Sequence, residues 1–302
     1  MGIDSRGGVS IGELIVYVPA IVVSFIVCIR HGFRRSSGWL YTLILCQIRI
    51  VGAICQLISE NKPSEGLIRA TLIIDSIGLS PLLLATLGML SRLLDWINAR
   101  NTPTFTIKHF RLLQLLIILA LILSIVGGTS GNASSTGTVQ PATTSKVGII
   151  LFIVSFVAMM FILAISCGSL SSVPSQEKRI AVAVGVSAPF IVVRLAYSVL
   201  AVFLHNKTFS IVGGSVGVHV GMAVIEEFIV VAVYLLLGFM LKKLDKDALP
   251  SGGLVNRPWK ARRGGNRRAS FSHAETSYNR DGPAYAQVGG EQHIPLNTTE
   301  RV

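Results

Sequence analysis

Residues 147–167 read VGIILFIVSFVAMMFILAISC, without a single charged side chain. A helix needs about 20 apolar residues to cross the hydrocarbon core of a bilayer. This stretch meets that length, and it is one of seven. The others run approximately over 11–29, 39–58, 69–91, 112–127, 180–204 and 217–241. The fourth run, 112–127, is short, but Lys108 and Arg111 can snorkel at one end and Gly127 and Gly128 extend the other. Open strands cannot cross lipid, because their edge N–H and C=O groups stay unsatisfied. The run lengths also exceed the roughly ten-residue alternating strands of a membrane barrel. The expected fold is therefore all-α: a polytopic seven-helix transmembrane bundle.

The whole chain agrees. Of 302 residues, 51% are hydrophobic and only 14% charged, with a mean hydropathy of +0.64. Soluble domains carry roughly 25% charged residues. A soluble enzyme, a disulfide scaffold and a wholly disordered chain are all excluded on this reading. The four cysteines, Cys28, Cys46, Cys55 and Cys167, lie in or beside apolar runs and read as buried small hydrophobes. Residues 1–10 are polar, and the first apolar run holds Glu13 and Pro19 without a small-residue cleavage site, so no signal peptide is expected. The expected organisation is a short extracytoplasmic N-terminus (1–10), the bundle (11–241) and a tail (242–302). The tail is polar, basic and rich in Gly, Pro, Ser and Asn, a composition that predicts disorder.

Net charge is +12, and its distribution sets the expected orientation. Connections 1–2, 3–4 and 5–6 together with the tail hold 20 of the 27 Lys and Arg residues, counting Arg92 in the 3–4 connection; the opposite side holds five. The positive-inside rule places the N-terminus outside and the tail in the cytoplasm, in the plasma membrane or an endomembrane. Two glycosylation sequons, at Asn132 and Asn206, fall in loops this topology puts outside, and Asn132 is the better placed acceptor. In the tail, Lys260, Arg262, Arg263, Arg267 and Arg268 beside Trp259 suggest contact with anionic inner-leaflet lipids. Arg267-Arg268-Ala269-Ser270 resembles a basic-directed kinase site, which makes Ser270 a candidate phosphosite.

Function is carried by the charges inside the spans. Arg49, Asp75, Arg194, Glu226 and Glu227 all lie at bilayer depth. Such a charge costs at least ~2.5 kcal/mol on insertion scales, so these side chains are expected to face the bundle interior and find partners. Counting 1.5 Å per residue from the cytoplasmic end of each span, Arg49 sits at ~15 Å, Arg194 at ~20 Å, Glu227 at ~21 Å and Asp75 at ~24 Å. They form one polar layer, which Gln47, Tyr197 and His219 could extend. Two readings stand: ion pairs that fix packing, or a ligand site. Pro19, Pro81 and Pro189 are expected to kink their helices, and Gly78-Leu79-Ser80-Pro81 could open the third span beside Asp75. An arginine followed by an acid one span later, Arg49 then Asp75 and Arg194 then Glu226, also suggests a three-helix unit repeated about the fourth span.

No catalytic signature appears. His31, His109, His205, His219, His273 and His293 lack metal-ligand spacing, and neither a phosphate loop nor a nucleophile elbow occurs. No enzyme activity, cofactor, metal or nucleic-acid partner is expected. The seventh span has no lysine for a retinal Schiff base, and Leu90-Ser91-Arg92 is not the acidic-Arg-aromatic triplet of the large animal receptor class. A receptor-like sensor for a small ligand, a transporter or lipid-translocating protein, and an accessory membrane protein all remain open.

Several short motifs carry a resemblance. Gly38-Trp39-Leu40-Tyr41, then Gln47-Ile48-Arg49-Ile50-Val51-Gly52, then Gly78-Leu79-Ser80-Pro81-Leu82-Leu83 running to Arg92, then Val193-Arg194-Leu195-Ala196-Tyr197-Ser198, then Glu226-Glu227 occur in order on successive spans. Over roughly residues 10–245 the chain resembles a fungal seven-span family, the domain of unknown function 7702 family. The resemblance implies a fungal integral membrane protein and supplies no activity.

Overall fold

The computed structural model describes residues 5–32, 37–61, 65–100, 105–129, 132–133, 139–140, 143–203 and 216–241. They form α1 (Ser5–His31), α2 (Ser37–Asn61), α3 (Glu65–Ile77), α4 (Leu79–Arg100), α5 (Ile107–Thr129), α6 (Thr143–Cys167), α7 (Ser175–Phe203), α8 (Val216–His219) and α9 (Ile225–Met240). A π-helical segment, Val220–Val224, joins α8 to α9, and a 3₁₀ turn, Leu170–Ser172, precedes α7. Between α5 and α6 a two-residue antiparallel bridge pairs Asn132–Ala133 with Val139–Gln140. Among the described residues seven helices are long and apolar enough to cross a membrane. The fold is a polytopic all-α bundle.

The third span departs from its expected limits. The apolar run 69–91 is divided between α3 and α4 at a single residue, Gly78, whose N–H still donates to the Ile74 carbonyl at 3.3 Å, and the helix long and apolar enough to span is α4, which continues past Arg92. The run was read as ending at Arg92 because charge ordinarily marks the membrane edge. Here Arg92 and Asp95 are both buried, so α4 carries them inside the bundle. Pro81 occupies the first turn of α4, where its missing N–H costs no intrahelical hydrogen bond. Pro19 and Pro189 sit on exposed faces of α1 and α7, which run unbroken through them.

Helix α4 is the axis of the bundle. Almost every side chain from Leu79 to Ile97 is buried, on all sides of the helix, against α2, α5, α6 and α7. The surrounding helices bury one stripe and expose an apolar face. On α6 that face is Val147, Ile150, Val154, Val157, Phe161 and Ile165, spaced three and four apart. This is the helical period, turned outward as lipid requires. Helices α5 and α6 approach closely through glycine: a Cβ on Gly127 would collide with the Ser145 backbone nitrogen, and one on Gly148 would lie 2.6 Å from Ser124 Oγ. Small residues allow such approach between membrane helices.

The tail 242–302, with Ser270, and Asn206 lie outside the described residues. The backbone of Asn132 pairs with Gln140, but its side chain is outside the description.

Candidate functional site

Two arginines from opposite halves of the sequence meet on one carboxylate. Arg49 on α2 donates from Nε to Glu227 Oε2 at 2.5 Å. Arg194 on α7 donates from Nε to Glu227 Oε1 at 2.8 Å. Glu227, on the first turn of α9, has no solvent exposure, and the arginines have 5% and 2%. Each arginine also reaches outward from the shared acid. Arg49 Nη1 lies 3.8 Å from Glu13 Oε1 on α1. Arg194 Nη1 donates to Ser198 Oγ at 2.9 Å, and the Ser198 hydroxyl donates back to the Arg194 carbonyl at 3.2 Å. The Arg194 guanidinium also lies 5.7 Å from the centre of the Tyr197 ring, and Tyr197 Oη shares a hydrogen bond with His219 Nδ1 at 3.1 Å.

The break in the third span lies on this layer. A Cβ placed on Gly78 would come within 3.1 Å of Arg49 Nη2 and 3.3 Å of Glu227 Oε1. Glycine therefore lets the backbone approach the ion pair closely. The π-helical segment Val220–Val224 stands just before Glu226 and Glu227 on the facing helix. Such bulges are frequent at functional sites. Two hydroxyls beside this junction are fully or almost fully buried and lack a partner among the described residues. They are Tyr17 Oη on α1 and Ser80 Oγ on α4. Tyr17 stands in the field of Glu227, Arg49 and Glu13, and its ring packs edge-on against Phe228 at 6.4 Å.

Of the other residues singled out by sequence, Glu226 is partly buried, with Oε2 enclosed and without a hydrogen-bond partner among the described residues. Asp75 is in α3, but its side chain lies outside the described residues. Gln47 is exposed on α2 and takes no part. Glu13 and Tyr17 were not singled out for the layer. Glu13 was legible, since it lies within the first apolar run like the other intramembrane charges. Tyr17 carried no signal that separates it from an ordinary core aromatic.

A second polar cluster stands at the other end of α4, about 20 Å from Gly78 at 1.5 Å per residue. Arg92 grips Glu177 of α7 with two bonds, Nε to Oε2 at 3.0 Å and Nη2 to Oε1 at 2.6 Å. Its guanidinium sits 5.3 Å from the Trp39 ring centre, and His31 stacks on Trp39 with ring centres 4.3 Å apart. Trp39 Nε1 donates to the Tyr234 carbonyl at 3.0 Å and His31 Nε2 to the Gly238 carbonyl at 2.8 Å. Between the two clusters the Tyr234 hydroxyl meets Thr86 Oγ1 at 2.8 Å. Sequence reading missed the Arg92–Glu177 pair because both residues flank apolar runs, where charge reads as topological.

Among the described residues no group of three His, Cys, Asp or Glu side chains is arranged to hold a metal ion, and all four cysteines are free. No curated protein and no solved structure matches the chain. A family profile, domain of unknown function 7702, matches residues 3–244. That match takes in both polar clusters, the broken third span and every spanning helix, and the chain belongs to the domain of unknown function 7702 family.

Proposed function

We propose that the chain is a non-catalytic, receptor-like membrane protein that senses a small polar ligand in the layer around Arg49, Arg194 and Glu227. One observation carries this reading: Gly78, between α3 and α4, lies against the Arg49–Glu227 pair, where the buried Tyr17 and Ser80 hydroxyls have no partner among the described residues. An ion pair kept only for packing needs no spare donors beside it. Buried hydroxyls without partners are rare in native interiors. A ligand that accepts hydrogen bonds from Tyr17 and Ser80 would satisfy both.

The broken span also favours a second reading, a transporter. Carriers commonly place discontinuous helices at their substrate sites. The Arg92–Glu177 latch closing the far end of α4 suits that reading as well. In either case the N-terminus faces outward, and the basic tail meets anionic lipid of the inner leaflet.

Purified protein screened by thermal shift against small polar solutes, with Tyr17→Phe in parallel, tests the site. A solute that stabilises the wild type and not Tyr17→Phe places binding in the layer; equal stabilisation of both proteins puts binding elsewhere. The same solute is then followed in proteoliposomes. Saturable binding without flux supports the receptor, and flux supports the transporter.

A further inference from the structure

We propose that Glu226 is a proton-binding site of this layer. The first argument is charge. The layer holds two guanidinium groups, Arg49 and Arg194, and three described carboxyls, Glu13, Glu226 and Glu227. Glu227 takes an Nε from each arginine, and Glu13 faces Arg49 Nη1. Glu226 is the surplus.

The second argument is geometry. Glu226 follows one residue before Glu227 on the same helix, so the two side chains diverge by about 100°. The cation that reaches Glu226 is Arg194, and Arg194 has already given Nε to Glu227 and Nη1 to Ser198. Glu226 Oε2 is enclosed and has no hydrogen-bond partner among the described residues. The residue is partly exposed, but position 226 lies about 15 Å along the helix that begins at Val216, and exposure at that depth is to lipid or a narrow lumen rather than bulk water. An ionised carboxylate there lacks both solvation and a dedicated counter-ion. A bound proton removes the charge.

The cation class follows from the side chains present. Among the described residues no three His, Cys, Asp or Glu side chains are grouped to hold a metal ion. A proton needs no such group. The other charged or titratable groups around the position are Arg194 and Tyr197 on α7, Glu227 and His219 on its own helix, Arg49 on α2, and Glu13 and Tyr17 on α1. The side chain of Asp75 lies outside the described residues and enters the test as a control.

The step balances simply. The Glu226 carboxyl releases H⁺ to the aqueous phase and becomes a carboxylate beside Arg194. Arg194 then has two adjacent acids to choose between, Glu226 and Glu227. Moving the guanidinium toward Glu226 loosens the link between α7 and the Arg49–Glu227 pair, next to the turn at Gly78. The Tyr17 hydroxyl, without a partner among the described residues, stands in the field of Glu227. Proton loss is thereby coupled to the opening of the layer.

This inference deepens the reading of the layer as a binding site, with the proton as ligand or co-ligand. The experiment is infrared difference spectroscopy of the full chain in lipid nanodiscs, between neutral and alkaline pH. The expected result is a protonated carboxylic C=O band that disappears on raising pH and is lost in Glu226→Gln. Glu13→Gln and Asp75→Asn should keep it. Should Glu226→Gln fail to fold, Glu226→Asp keeps a carboxyl and should move the band. No band in the wild type, a band retained in Glu226→Gln, or a band unmoved in Glu226→Asp overturns the assignment. A solute screen that finds nothing leaves the spectroscopic result intact, so the two readings fail separately.

Discussion

Glu227 is the one acid shared by two buried arginines, and that sharing sets an order of mutational cost. Removing one partner from a buried ion pair costs about 3–5 kcal/mol, because the other charge is left uncompensated. Arg49→Leu leaves Glu227 still held by Arg194. Glu227→Leu takes the acid that receives an Nε from both guanidinium groups away from the two at once. Thermal unfolding in detergent should therefore rank Glu227→Leu as more destabilised than either Arg49→Leu or Arg194→Leu. Equal losses in all three would mean that the two pairs act as one unit, and would contradict this ranking. The arginines and Glu227 were legible in the sequence because charge inside an apolar run is rare and costly. Their common partner was not, since depth along a helix gives height and not azimuth. Asp75, Glu226 and Glu227 were indistinguishable on height alone. Arg92 and Glu177 were illegible for the opposite reason: at the end of an apolar run, a buried fork and a topological charge read alike.

At the scale of elements, glycine separates what was legible from what was not. The helices were readable from run length, and six of the seven spans fall close to their expected limits. The third does not, because apolar residues continue on both sides of Gly78 and hide the turn. Contacts between helices are equally hidden, since a glycine in an apolar run says nothing about its neighbours. Gly238 on α9 and Gly185 on α7 show the difference. A Cβ on Gly238 would lie 2.5 Å from Val27 Cγ1 and 2.8 Å from Trp39 Nε1. Around Gly185 nothing lies within 4 Å. Gly238→Ala must push α9 away from α1 and α2 and should destabilise by about 1–3 kcal/mol, as overpacking does. Gly185→Ala adds helix propensity without a clash and should stabilise by roughly 0.5–1 kcal/mol. Parallel unfolding curves of the two variants check both signs. Destabilisation by Gly185→Ala, or none by Gly238→Ala, would contradict the packing described for these helices.

For the whole molecule the open quantity is direction across the membrane. Arg92 was counted among the connection charges, yet it is buried and paired with Glu177 within the bundle. Taking it out changes the Lys and Arg tally from 20 against five to 19 against five. The tail contributes eleven of these residues, and long tails weigh less than short loops in setting topology. Without the tail the margin narrows to eight against five, so the short connections carry the argument. Arg30, Arg100, Lys108, Arg111, Lys178 and Arg179 flank the ends of α1, α4, α5 and α7, all at the same end of the bundle as the Arg92–Glu177 fork. Basic residues this close to the span ends are the ones the positive-inside rule counts. The expected outcome is an N-terminus outside and residues 246–302 in the cytoplasm. A tag at the C-terminus should then survive protease added to sealed cells, while a tag before Gly7 is cleaved. Removing the tail at Lys246 should leave this result unchanged, because the connections alone still favour it. A C-terminal tag cleaved from outside reverses the orientation. Reversal would put the Arg49–Glu227–Arg194 layer nearer the cytoplasmic face and the Arg92–Glu177 latch toward the exterior, and the proton released by Glu226 would leave to the other side.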